Sequence, residues 1–261
     1  GADLTGTVLT GADLSNTNLS GTDLSGKDLS GTVLTGAELS GTDLTGTILT
    51  GVDLSKSDLT GVDLTETTLT GANLASAILL DADLTGVDLT GANLSGADLT
   101  GNDLTGTILT GVSMPYSILS DVDLAGKDLS GTNLSGADLS NVILTGSDLT
   151  GTDLSNAILA GADLTGVDLG ETNLTEADLT GSDLTKTILT GSLLSRANLA
   201  GTDLSGTIIS GVDLSNVLMA ETDLSGKDLT GTVLTGADLS NTNLSGTDLS
   251  GKDLSGTVLT G

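Results

Sequence analysis

The side chains that could do chemistry in this chain are carboxylates, hydroxyls, a few cations and one phenol. Asp or Asn stands at most of the positions 3, 8, 13 and so on, and Ser or Thr follows two residues later. Stacked carboxylates attract divalent cations, so rows of Asp predict weak binding of such ions, distributed over the surface. No EF-hand loop and no glycine-rich calcium repeat is present, so no residue is predicted to be a metal ligand and no cofactor is expected.

Catalysis is not predicted. His and Cys are absent, so bases and nucleophiles reduce to carboxylates, hydroxyls, lysines and Tyr116, repeated without a distinctive cluster. The glycines recur at a fixed period, unlike those of a phosphate-binding loop. The sequence therefore predicts no enzyme, no catalytic residue and no cofactor-binding residue.

Charge limits the partners. Seven Lys and Arg against 35 Asp and Glu give a net charge of −28. That charge repels nucleic acid and anionic membranes, and it attracts cations and basic proteins. No apolar run approaches the length of a membrane span. Binding to nucleic acid and insertion into a membrane are therefore not expected.

A five-residue repeat organises the whole chain, which consists of 52 consecutive units and a closing Gly261. The fourth place is Leu in 49 units, and Met114, Ile209 and Met219 are the exceptions. Five residues advance an α-helix by about 500°, so these Leu would not share a helix face. In a strand, places two and four point to one side, and a turn at places five and one redirects the chain. The period thus predicts an all-β solenoid whose interior is filled by places two and four, with place three facing solvent.

The first place of each unit is the corner. Gly dominates there and suits a positive φ, and Asn is its natural substitute. Other residue types occupy some corners, and these predict turns that do not require a positive φ. The residues concerned are Lys56, Glu66, Ser76, Glu171 and Arg196.

Three units show the repeat most clearly: Ala2-Asp3-Leu4, Ala72-Asn73-Leu74 and Ala197-Asn198-Leu199. They match the A-(D/N)-L-x-x motif, and the sequence resembles the pentapeptide-repeat family over its whole length. The resemblance implies a right-handed quadrilateral parallel β-helix with four units per coil, hence about 13 coils from 52 units. We expect residues 1–261 to form a single continuous β-solenoid without a capping helix.

Apolar third-place residues depart from the acidic pattern and are not evenly spread. With four units per coil, every fourth unit lies on the same face. Ten of the fourteen apolar third-place residues then fall on two opposed faces, and the other four are Val33, Ile143, Leu193 and Val233. β-Propensity at tolerant positions explains the departure without a function. The functional interpretation is a pair of apolar stripes for lateral contact between solenoids. One stripe is Val8, Ile48, Ile108, Ile188 and Ile208, and the other is Ile78, Ile118, Ile158, Leu218 and Val258.

Two further features stand out. Lys27, Lys127, Lys227 and Lys252 lie in the inward register of place two, so we expect their stems to leave at the corner and pair with a neighbouring Asp. Tyr116, the one aromatic residue, follows Pro115 at a corner and is a candidate contact point.

A longer repeat is superimposed on the short one. Residues 6–36 and 231–261 are identical, which indicates a higher-order repeat of 225 residues and a protein that continues beyond this sequence. A solenoid without capping coils invites end-to-end addition.

Three functions fit these observations. The first is a structural protein, a stiff acidic segment of a long filament or fibre at a bacterial cell surface or outside the cell, which associates end to end or side by side. The second follows from the resemblance, since some members of the family mimic DNA in width and charge and occupy the DNA site of type II topoisomerases; it implies a cytoplasmic protein. The third is a designed consensus rod.

Overall fold

The computed structural model describes residue 4 and residues 7–261; Ala2 and Asp3 of the first motif, and Gly6, lie outside the described residues. The chain divides into two compact units, Gly1–Asp123 and Leu124–Gly261. Both are built from the same five-residue repeat.

Parallel bridges join third-place residues that are 20 positions apart, such as Asp53 with Asn73 in the first unit and Asp163 with Asp183 in the second. Four five-residue units therefore make one coil, as the family resemblance implies. The N–H of Asp53 donates to Thr32 O at 3.0 Å, and the N–H of Leu54 donates to Asn73 O at 2.7 Å. Each coil is thus bonded to the coil on either side.

The described residues contain no helix and no strand longer than a single bridging residue. The sequence predicts a short strand over places two to four, so this expectation is only partly met. A turn in every unit leaves three residues between corners, and only the central one carries the bridge. The all-β solenoid is confirmed, but its sides are single bridges between turns.

The core follows the predicted register. Fourth-place Leu residues such as Leu64 and Leu164 are fully buried, and second-place residues such as Ala97 and Val142 pack beside them. Buried second-place hydroxyls donate to carbonyl oxygens of the coil, as Ser57 does to Leu54 O at 2.6 Å. The described residues leave two buried polar atoms unsatisfied, Asn102 Oδ1 and Thr132 Oγ1.

The corners have one backbone conformation throughout. Every first-place residue from Gly11 to Gly261 has a positive φ, and the place-two N–H donates to the place-four carbonyl three residues earlier. This is the geometry of a type II turn, in which only the third residue requires φ > 0. The prediction that non-glycine corners avoid a positive φ is therefore wrong. Lys56, Glu66, Ser76, Glu171 and Arg196 have φ values of 59°, 60°, 56°, 63° and 60°.

Candidate interaction surfaces

The bridged third places form four outward rows in each unit. By register, ladder A contains residues 13, 33 and so on at intervals of 20, ladder B begins at 18, ladder C at 23 and ladder D at 28. The letters apply to each unit separately. Ladder C is the most acidic, with Asp at every described position except Ile143 and Asn243.

Third-place carboxylates are structural as well as solvent-facing. Asp23 Oδ1 accepts the N–H of Ser25 at 3.0 Å and the Ser25 hydroxyl at 2.6 Å. Asn does the same without charge, as Asn133 Oδ1 accepts the N–H of Ser135 at 3.0 Å. This turn was not predicted from the sequence, although Asp or Asn two residues before Ser or Thr is its signature.

These bonds lower the pKa of several third-place carboxylates. The hydroxyl and the backbone N–H of Ser25 hold the pKa of Asp23 below its usual value, and Ser205 does the same to the pKa of Asp203. Because the folded pKa lies below the unfolded one, the contribution to stability is present above about pH 4 and is lost as pH falls through the folded pKa. Acid should therefore weaken the corners.

We predict that the urea midpoint of unfolding falls when the pH is lowered from 6 to 2, and that most of the fall occurs below about pH 4. A variant with Asn at Asp23, Asp183, Asp203 and Asp223 should lose less, because Asn keeps the turn bond and does not titrate. Far-UV circular dichroism at each pH measures the midpoint. A midpoint that rises in acid would mean that relief of charge repulsion outweighs the turn bonds.

The apolar third-place residues lie on the predicted ladders. Ile48 and Ile108 are on ladder D of the first unit, and Ile188 and Ile208 are bridged neighbours on ladder D of the second. Val8 is exposed and forms no bridge among the described residues. Ladder B carries Ile78 and Ile118 in the first unit, and Ile158, Leu218 and Val258 in the second. The structure thus places the two candidate stripes on separate ladders, and their role in lateral contact stays a prediction.

Tyr116 projects from a corner of the first unit. It has φ +58° and is 71% exposed. The preceding Pro115 keeps the coil bond, because its carbonyl accepts the N–H of Gly96 at 2.8 Å. A bulky side chain at positive φ is uncommon, so the corner tolerates Tyr116 at a cost in backbone strain.

Two of the four inward lysines, Lys227 and Lys252, do not behave as predicted. Lys227 Nζ donates to Leu204 O and to Thr207 O (3.2 Å), and Lys252 Nζ donates to Leu229 O and to Thr232 O (3.0 Å). The expected pairing with a neighbouring Asp is therefore wrong for Lys227 and Lys252: their ammonium groups bind backbone carbonyls of the preceding coil, which lie closer to the interior. Burial lowers the pKa of Lys227, and the nearby Asp203 and Asp223 oppose that shift.

These two lysines border a depression of about 350 Å³ in the second unit, lined also by Asp228, Asp248 and Ser250. Over this stretch the bridges at Asp228, Asp248 and Asp253 are missing from the ladders. The ammonium of Lys227 bonds to the carbonyl of Thr207, which the regular ladder would pair with the N–H of Asp228. The depression is thus a local opening between coils.

Residue 4 and residues 7–261 hold no group of three or more carboxylates placed to bind a metal ion. Weak, distributed binding of divalent cations along the ladders stays a prediction. Nowhere in this part of the chain is there a helix with the length and apolar character needed to cross a membrane.

The sequence model of pentapeptide repeats matches eight times and covers almost the entire chain. The matched segments are residues 1–26, 12–51, 47–86, 77–114, 117–156, 157–196, 197–236 and 213–256. The chain belongs to the pentapeptide repeat family. The family model confirms the five-residue repeat, and the pattern of bridges confirms an all-β solenoid.

Solved structures of other pentapeptide repeat proteins are similar to this one. HetL from the cyanobacterium Nostoc sp., involved in regulating heterocyst differentiation, is 31% identical over 80% of this chain and 90% of its own, with a TM-score of 0.37. Rfr23 from the cyanobacterium Cyanothece is 29% identical over 41% of this chain and 88% of its own, with a TM-score of 0.25.

QnrB1, a plasmid-mediated fluoroquinolone resistance protein, is 15% identical over 95% of this pentapeptide repeat chain and 91% of its own, with a TM-score of 0.25. A comparison with curated protein sequences found no match.

Proposed function

We propose that this pentapeptide repeat chain is a non-catalytic structural segment of a long filament. The observation that carries the proposal is the coil-to-coil bonding at intervals of 20 residues through both units. Each coil is buried only by its neighbours, so any exposed coil end is a template for another coil. The identity of residues 6–36 and 231–261 supports a higher-order repeat of 225 residues in such a filament.

The finer architecture belongs to the same proposal. A right-handed quadrilateral β-helix with four units per coil gives about 13 coils for 52 units. A net charge of −28 would keep such a filament dispersed, and the carboxylates at solvent-facing third places would contribute most of it. We place it at a bacterial cell surface or outside the cell, where a stiff acidic fibre has a mechanical use.

Sedimentation velocity over a hundredfold range of protein concentration tests this assembly. End-to-end addition predicts species that grow with concentration in discrete multiples of the chain mass, because each addition uses the same coil-to-coil bonding. A single species with the mass of one chain at all concentrations would argue against a filament.

A second candidate is a DNA mimic that acts on a type II topoisomerase in the cytoplasm. The observation that favours it is ladder C, where carboxylates recur coil after coil in the manner of a phosphate backbone. If the purified chain inhibits supercoiling by gyrase at low micromolar concentration, this candidate takes precedence. An inactive chain at that concentration would remove it.

A further inference from the structure

Ladder B of the first unit alternates acidic and apolar side chains. Asp58, Ile78, Asp98 and Ile118 are joined by three consecutive bridges. Ile78 is 44% and Ile118 is 38% exposed. The row therefore offers an apolar contact on every second coil with a carboxylate between.

The carboxylates of this row are held in place by the turns that follow them. Asp58 Oδ1 accepts the N–H and the hydroxyl of Thr60, at 3.0 and 2.6 Å, and Asp98 Oδ1 accepts those of Thr100 at the same distances. Both carboxylates thus have a fixed position and keep lone pairs free for a second donor. Two Ile and two preoriented carboxylates make a rigid surface.

Ladder B is also the most regular row. Its bridges run without a gap from Asn18 to Ile118 in the first unit and from Asp138 to Val258 in the second. Over the described residues each of the other three ladders is interrupted in at least one unit, as ladder C is between Asp43 and Asp63. An unbroken ladder keeps a constant step along the row, which a partner with its own period can match.

The corner beside ladder B is unusual too. Its non-glycine residues in the first unit are Asn16, Lys56, Ser76 and Tyr116, whereas most other corners are Gly. A non-glycine residue at positive φ costs about 1 kcal/mol or more, so each of these side chains stands at its corner at a cost in backbone strain. Tyr116 stands two residues before Ile118, at the edge of the row.

We propose that ladder B of the first unit docks a cationic amphipathic α-helix of a partner protein. The ladder step is about 4.8 Å, so Ile78 and Ile118 are about 10 Å apart. Seven residues of helix advance about 10.5 Å and return to the same face. A helix with an apolar residue in each heptad and Lys or Arg half a heptad further on would meet each Ile and each carboxylate.

Other occupants match the row less well. Three residues of extended chain also span about 10 Å, but positions three apart in a strand point to opposite sides. A second copy would bring its own carboxylates and a net charge of −28 against those of the first. Lys56, the cation of this corner, precedes Asp58 at the end of the row and is outnumbered by carboxylates.

The test uses Tyr116 as a local reporter, since the chain has no other aromatic residue. A synthetic helix of about three heptads, with Leu once per heptad, Lys half a heptad later and no aromatic residue, is titrated into the whole chain. Tyrosine emission follows binding. We expect saturable binding that weakens with added salt, and at least about tenfold weaker binding by a peptide of the same composition in scrambled order.

Matched variants locate the site. Ile78→Asp with Ile118→Asp should weaken binding by about tenfold or more, because the apolar contacts are lost. Ile48→Asp with Ile108→Asp on ladder D adds the same charge and should not weaken binding. Asp is common at third places, so both pairs should fold, which circular dichroism checks. Equal effects of the two pairs, or equal binding of the scrambled peptide, would overturn the proposal. So would a change in sedimentation with the ladder B pair alone, since that would identify a second copy as the occupant.

Discussion

Leu194→Ala should lower the free energy of unfolding by about 2–5 kcal/mol, whereas Leu193→Ala should change it by about 0.5 kcal/mol or less. The two residues are neighbours in sequence, but Leu194 is 1% exposed and Leu193 is 60% exposed. Leu194 packs in the interior among other fourth-place residues. No large aromatic side chain lies in this core to fill the cavity that Leu194→Ala would leave. Leu193 lies on ladder A and faces solvent.

Urea unfolding followed by circular dichroism measures both variants at neutral pH. The second unit can lose structure locally in a repeat architecture, so the shape of the transition should be compared as well as its midpoint. A similar loss of unfolding free energy for both variants would contradict the assignment of place three to the solvent side and place four to the interior.

Gly131→Val should destabilise the chain by about 1–3 kcal/mol, and Gly131→Asn should cost less than half as much. Gly131 has φ +63°, and a Cβ added there would meet no atom within 4 Å. The cost is therefore backbone strain alone, and this strain is largest for a β-branched residue and smallest for Asn. Asn141 already occupies an equivalent corner with φ 56°.

Thermal unfolding of the two variants beside the parent chain measures the difference. Equal stabilities for Val and Asn would show that the corner relaxes to a negative φ, contrary to the single corner conformation seen from Gly11 to Gly261.

The interior was predictable because one physical rule determines it. A Leu every fifth residue fits neither helix nor long strand, and the buried places two and four follow from alternation of side chains. Register also placed Ile78 and Ile118 on one row. The structural role of Asp at place three was not predicted, although its spacing from the Ser or Thr two residues later is the sequence signature of the turn bond.

The corners and the inward lysines show a second limit to prediction from the sequence. Local preference suggested that Arg196 avoids a positive φ, yet it adopts one and forms an ion pair of 3.0 Å with Glu176 of the preceding coil. Hydrogen bonds between stacked coils fix the backbone of each corner, and they outweigh the preference of a single residue for a negative φ. Lys227 likewise reaches carbonyls that come into range only when the preceding coil is in place.

Electron microscopy of the purified chain tests the proposed filament most directly. Stacking of coil on coil predicts continuous thin filaments of uniform width that lengthen with protein concentration. Isolated short particles with the mass of one chain at every concentration would contradict it.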